Sequence, residues 1–172
     1  MNRVKIKRNF PLTPQHLNTL IPQSMSYQVE LRAAKIPYIG AIAVHYWFVI
    51  HEQVSERWEI WQTKSLVSSS WGHLHKNLMN PTRGVGNGGS WQEYVWQGEE
   101  ADNLQTIIRK TPQIYPYNYL YRYYPGPNSN TYIQWILDKS QIRYSLGRKG
   151  LGKNYHRFFS KYEAIALLST FQ

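Results

Sequence analysis

Ser129 follows the rigid turn Tyr124-Pro125-Gly126-Pro127 and, with Asn128 and Asn130, opens a stretch of helical periodicity. At such a position unpaired backbone amides and the positive end of the helix dipole converge, which suits a nucleophile that must pass through an oxyanion. The same residue types also make ordinary N-caps, worth about 1 kcal/mol. Two features point beyond a cap. Ser129, Ile133 and Ile136 share one helical stripe, so the hydroxyl should face the body of the protein. His45 lies inside the apolar run Ile42-Ala43-Val44-His45-Tyr46-Trp47-Phe48-Val49, where an imidazole costs desolvation unless something binds it. A lone buried histidine is otherwise more often a satisfied core residue. If this run and Arg57–Thr63 form a hairpin centred near Glu52, Glu59 stands directly across from His45 on the same face and orients the ring. A one-residue slip would bring Glu56 or Gln62 forward instead. Ser129, His45 and Glu59 are then nucleophile, base and orienter for attack on amide or ester bonds. Backbone amides near Ser129 and Asn130, and the side chains of Asn128 and Asn130, are the expected oxyanion and substrate donors.

Other groups carry weaker chemistry. Gly147-Arg148-Lys149-Gly150-Leu151-Gly152-Lys153 has the spacing of a phosphate-binding loop, but Asn154 stands where the magnesium-binding Ser or Thr belongs and no strand pattern precedes it. What survives is a basic, glycine-rich loop that could meet an anionic ligand through Lys149, Lys153 and its amides, against the alternative of a solvated loop. His73-Leu74-His75 lacks a third ligand at metal spacing, so no metal site is expected and the pair reads as exposed loop histidines. The tyrosines between Tyr115 and Tyr124 suit core and turn packing better than stacking on bases or sugars. No cofactor is expected.

The elements that must position these residues follow from periodicity. Tyr27–Ala34, Ala41–Ile50, Arg57–Thr63 and Trp91–Gln97 read as strands, the second buried on both faces. Arg83 to Ser90 has the glycine density of a mobile loop. Glu99–Lys110 reads as a helix that stops before Pro112, and Asn130–Lys139 as the helix behind Ser129. Thr13–Leu20 and a capping-box start at Ser160 suggest two more. The expected organisation is a basic extension with a short helix over residues 1–26 and a single α+β domain over 27–172, an antiparallel sheet packed with helices.

Composition bounds the partners. The 172 residues are 42% hydrophobic and 15% aromatic, enough for one packed core. With no cysteine, disulfides and thiolate chemistry are excluded. The N-terminal Met-Asn-Arg-Val-Lys-Ile-Lys-Arg is not followed by the apolar run of a signal or membrane helix, so a cytoplasmic protein without a transmembrane segment is expected. A net charge of +10 favours an anionic partner, nucleic acid included, and the acid-free stretch Lys139 to Lys161 is the expected positive rim. A non-catalytic binding module using residues 139–161 is therefore the rival reading; oligomeric state is open.

Ala43-Val44-His45-Tyr46-Trp47, Tyr115-Pro116-Tyr117, Tyr124 through Tyr132 and Leu151-Gly152-Lys153-Asn154-Tyr155 resemble the successive signatures of the domain of unknown function 3750 family, over about Tyr27 to Tyr155. That family has no established activity. A histidine strand preceding a helix that opens with Asn128-Ser129-Asn130 is also similar to circularly permuted papain-like enzymes of the lecithin:retinol acyltransferase and PPPDE peptidase types. In that resemblance Ser129 takes the position of the nucleophilic cysteine and His45 that of the histidine. It implies a permuted papain-like (NlpC-type) architecture and a hydrolase, an acyltransferase or a catalytically retired relative.

Overall fold

The computed structural model describes residues 28–158. Five strands, β1 (Gln28–Lys35), β2 (Val44–His51), β3 (Glu56–Ser65), β4 (Ser70–Lys76) and β5 (Trp91–Gln97), form one open sheet in the order β4-β3-β2-β1-β5. All its neighbours pair antiparallel. Helices α1 (Gly98–Ile114) and α2 (Ser129–Lys139) pack on one face, giving an α+β architecture. The expected helices at Thr13–Leu20 and from Ser160, and the extension over residues 1–26, lie outside the described residues.

The central strand β2 is apolar along nearly its whole length because both its faces are covered. Val44, Tyr46, Phe48 and Ile50 join Leu31, Leu104, Ile108, Ile133 and Ile136 in the main core between sheet and helices. Trp47 and Val49 point the other way, with Ala34 and Val85. On that second face the 77–90 segment is tied down. Trp47 donates to Pro81 O at 2.9 Å, Arg57 to Asn80 O and Arg83 O, and Arg32 to Ser90 Oγ at 2.8 Å. The glycine-rich stretch is anchored at Arg83 O and Ser90 Oγ, and its Val85 packs on the Ala34, Trp47 and Val49 cluster.

Three boundaries differ from expectation for identifiable reasons. His73 and His75 belong to β4 and are buried, not loop histidines. His75 Nε2 donates to Thr63 O at 3.0 Å and Nδ1 accepts from Ser70 Oγ at 2.8 Å, so a neutral ring is fully used there. Helix α1 continues through Pro112 to Ile114. The proline has no N–H for Ile108 O, and Thr111 Oγ1 donates to that carbonyl instead at 2.6 Å. Finally, β2 and β3 pair Phe48 with Trp58, Val49 with Arg57 and Ile50 with Glu56, which shifts the register from the one that set Glu59 opposite His45.

Pairing between β2 and β3 ends at Phe48 and Trp58, although β2 begins at Val44 and β3 runs on to Ser65. The strands splay there, and the N-terminus of α2 occupies the opening. Val44 O accepts from Asn130 Nδ2 at 3.0 Å, and Val44 N–H donates to Lys149 O at 3.0 Å. A helix on one face of the sheet can therefore meet a side chain from the other.

Candidate active site

Asn128 is the N-cap of α2. Its Oδ1 accepts from the backbone N–H of Asn130 and Thr131, and Thr131 Oγ1 accepts the Asn128 N–H, which completes a capping box. The cap is locked from behind by residues 151–152, since Leu151 O accepts from both Asn128 Nδ2 and Asn130 Nδ2 and Gly152 O accepts from Thr131 Oγ1 at 2.7 Å. Gly152 has φ +85, and a Cβ there would stand 2.4 Å from Asn128 Nδ2, so glycine is required for this close approach.

Asn128 and Asn130, expected as substrate donors, line the Ser129 cleft with their side-chain N–H groups already engaged. Asn128 Nδ2 donates to Tyr123 O and Leu151 O, and Asn130 Nδ2 to Val44 O and Leu151 O, so both amides spend their N–H groups on carbonyls. The Asn130 backbone amide is likewise committed to Asn128 Oδ1 at 3.0 Å. Among the described residues the Ser129 N–H has no acceptor, and Ser129 lines the cleft.

Ser129 is buried at the first residue of the helix with its Oγ 3.0 Å from His45 Nδ1 and 3.4 Å from Asn130 Oδ1. His45 Nε2 lies 2.9 Å from Glu59 Oε2. A carboxylate only accepts, so Nε2 carries the proton and Nδ1 of the neutral ring is free to accept from the serine. Glu59 reaches His45 beyond the end of β2–β3 pairing, and Trp61 stands edge-on to the ring with centroids 5.2 Å apart. His45 and Glu59 share a face because their separation in a hairpin preserves parity even with the register shifted.

Sequence reasoning missed Arg57. It is fully buried, as is Glu59, with Nη2 donating to Glu59 Oε2 at 2.7 Å and Nε 2.7 Å from Oε1. Its guanidinium lies 4.0 Å from the Trp47 ring centroid, and Nη1 donates to Asn80 O at 3.0 Å and Arg83 O at 2.5 Å. Burial pushes the Glu59 carboxyl up, but the His45 hydrogen bond and the charge and hydrogen bond of Arg57 outweigh it and hold the group below the usual range. The available signal was alternation, since Arg57 shares a strand face with Glu59.

Ser129 and His45 open onto a cavity of about 510 Å³ walled by Ile36, Ile39, Ile60, Trp61, Val85 and Leu151. Gln62 and Tyr123, hydrogen-bonded to each other, stand at its rim. Lys149 and Lys153, expected as substrate contacts, are not among the residues that line it. Lys153 Nζ donates to Leu146 O within its own loop, and Lys149 is exposed. The expected acid-free rim is also partly neutralised, because Arg157 forms a two-pronged ion pair with Asp138 at 2.6 and 2.7 Å. Among the described residues no group of three acids and histidines could hold a metal ion, and no helix is long and apolar enough to cross a membrane.

Residues 26–155 match the family described as Protein of unknown function (DUF3750), and the chain belongs to that family. No curated protein and no solved structure matches it.

Proposed function

We propose that this DUF3750 member is a serine-dependent hydrolase or acyltransferase that acts on amide or ester bonds, built on a permuted papain-like plan. The observation that carries the reading is the buried chain Ser129 Oγ to His45 Nδ1 to Glu59 Oε2, with links of 3.0 and 2.9 Å, at the mouth of a cavity. A core histidine needs one partner; this one joins a helix-start hydroxyl to a charged carboxylate. The ring uses its nitrogens in the opposite sense to the chymotrypsin-type triad, presenting Nδ1 to the nucleophile.

In this mechanism His45 Nδ1 takes the Ser129 proton as Oγ attacks the substrate carbonyl carbon. The tetrahedral oxyanion is met by the Ser129 N–H and the positive end of α2. The bond to the leaving alcohol or amine breaks and His45 returns the proton to it. Water, or an acceptor alcohol or amine, then repeats the attack on the acyl-serine and restores the free hydroxyl. Glu59 holds the imidazole tautomer and stabilises the imidazolium, and Arg57 with Trp47 fixes Glu59.

Labelling with a fluorophosphonate probe tests this. The parent protein should be modified at Ser129, with Ser129→Ala unlabelled and His45→Ala labelled at least about a hundredfold more slowly. Absence of Ser129 labelling in folded parent protein would reject the catalytic reading.

The second reading, a binding module for nucleic acid or an anionic surface, is favoured by one observation. Arg143, Arg148 and Lys149 are exposed and, among the described residues, have no ion-pair partner. None of them lines the Ser129 cleft, so such binding would be a separate property of the residue 139–161 segment.

A further inference from the structure

We propose that the group seated in the Ser129 cleft is uncharged and apolar, an alkyl or aryl acyl group, and that esters or amides carrying it are the substrate class; this rests on the acyl-transfer reading above. Charge is absent from the cleft. Its lining contains no Asp, Glu, Lys or Arg, and the nearby Arg57–Glu59 pair is fully buried behind His45 and Trp47. A charged acyl group would therefore lose its hydration with no countercharge to meet.

The polar groups of the lining are few. Ser129 and His45 stand together, Gln62 and Tyr123 hydrogen-bond to each other at the rim, and the amides of Asn128 and Asn130 are already spent on carbonyls. The wall formed by Ile36, Ile39, Ile60, Trp61, Val85 and Leu151 is aliphatic or aromatic, and each methylene desolvated against it should strengthen binding about fourfold. The volume of about 510 Å³ falls in the range of ordinary small-molecule pockets. The apolar surface also continues outward, because Tyr38 and Ile39 at the lip are 107% and 45% exposed. A chain longer than the cavity would find cover there.

The test compares the parent, Ser129→Ala and Ile39→Asp on p-nitrophenyl acetate, butyrate, octanoate and hemiglutarate. The Ser129-dependent kcat/KM should rise about fourfold per methylene from acetate to butyrate and rise further to octanoate. The anionic hemiglutarate should fall at least about tenfold below butyrate. Ile39→Asp should cut the octanoate-to-acetate ratio at least about tenfold. Ser129-dependent turnover that is flat along the series, or that favours hemiglutarate, would overturn the substrate class and leave the acyl-transfer reading intact. If the parent turns over no ester faster than Ser129→Ala does, the acyl-transfer reading fails and the cleft is judged by calorimetric titration of Ser129→Ala with octanamide. Saturable octanamide binding weakened by Ile39→Asp would support an apolar ligand; no binding would overturn it.

Discussion

Arg57 stacks on Trp47 at 4.0 Å while its Nη2 donates to Glu59 Oε2 at 2.7 Å, so the carboxylate that reaches His45 is held by a cation which is itself pinned between a ring and two backbone carbonyls. Removing one member of a buried pair leaves the other uncompensated. Arg57→Ala should destabilise the fold by about 3–5 kcal/mol in denaturant titrations. Arg57→Lys should retain more stability yet still slow Ser129 labelling, because one ammonium cannot contact both carboxylate oxygens and both carbonyls.

Glu59→Gln preserves the shape of the side chain but removes its charge and offers an amide N–H to the ring. The imidazole would then favour the wrong tautomer, with Nδ1 protonated toward Ser129. Labelling or turnover should fall about 10²–10⁴-fold with the fold retained by circular dichroism. Activity equal to the parent's would show that Glu59 supports the fold alone.

The pH dependence of stability should run in two stages of the same sign. Burial lowers the His75 pKa from its ordinary 6.5, so the unfolded chain binds more protons and stability declines as pH falls below about 6.5. Glu59 stays charged in the fold despite burial, because the His45 hydrogen bond and the charge and hydrogen bond of Arg57 prevail over it. Its contribution is present above the ordinary 4.5 and is lost as pH falls through its lower folded value. Denaturant midpoints between pH 8 and 3 check this, and His75→Gln should reduce the first stage to the part carried by His156, whose pKa burial also lowers.

Gly152→Ala tests the clamp behind the helix start. Its Cβ would meet Asn128 Nδ2 at 2.4 Å, with φ +85 adding backbone strain. A loss of about 1–3 kcal/mol is expected, and Ser129 labelling should fall disproportionately as the N-cap moves. Unchanged labelling at reduced stability would separate the clamp from the site.

Arg148→Glu with Lys149→Glu tests the basic segment independently of the cleft. If exposed cations on this segment bind single-stranded nucleic acid, affinity in the double variant should drop and the slope of log affinity against log salt should shrink by about 1.4. Labelling of Ser129 should be unchanged. Identical binding by both proteins would remove this segment from the partner account.

The sequence by itself determined what depends on near neighbours. Alternation and β-branched or aromatic content placed β5 at Trp91–Gln97, and a turn followed by Asn128-Ser129 and a stripe of isoleucines placed α2. Parity put His45 and Glu59 on one face under either register, since a two-residue shift leaves side-chain direction unchanged. Tertiary structure decided what depends on groups far apart in the chain. Strand β4 carries histidines and a glycine that local propensity reads as loop, and its place was set by pairing with β3 and burial of His75. The amides of Asn128 and Asn130 were claimed by the carbonyls of Leu151 and Val44, which no local pattern announces. Lys149 and Lys153 fell outside the cleft, and Arg57 fell behind the carboxylate. The gap that lets Ser129 reach His45 exists because β2 and β3 part beyond Phe48 and Trp58, and a helix end and a loop carbonyl supply the Val44 hydrogen bonds that a strand would otherwise have made.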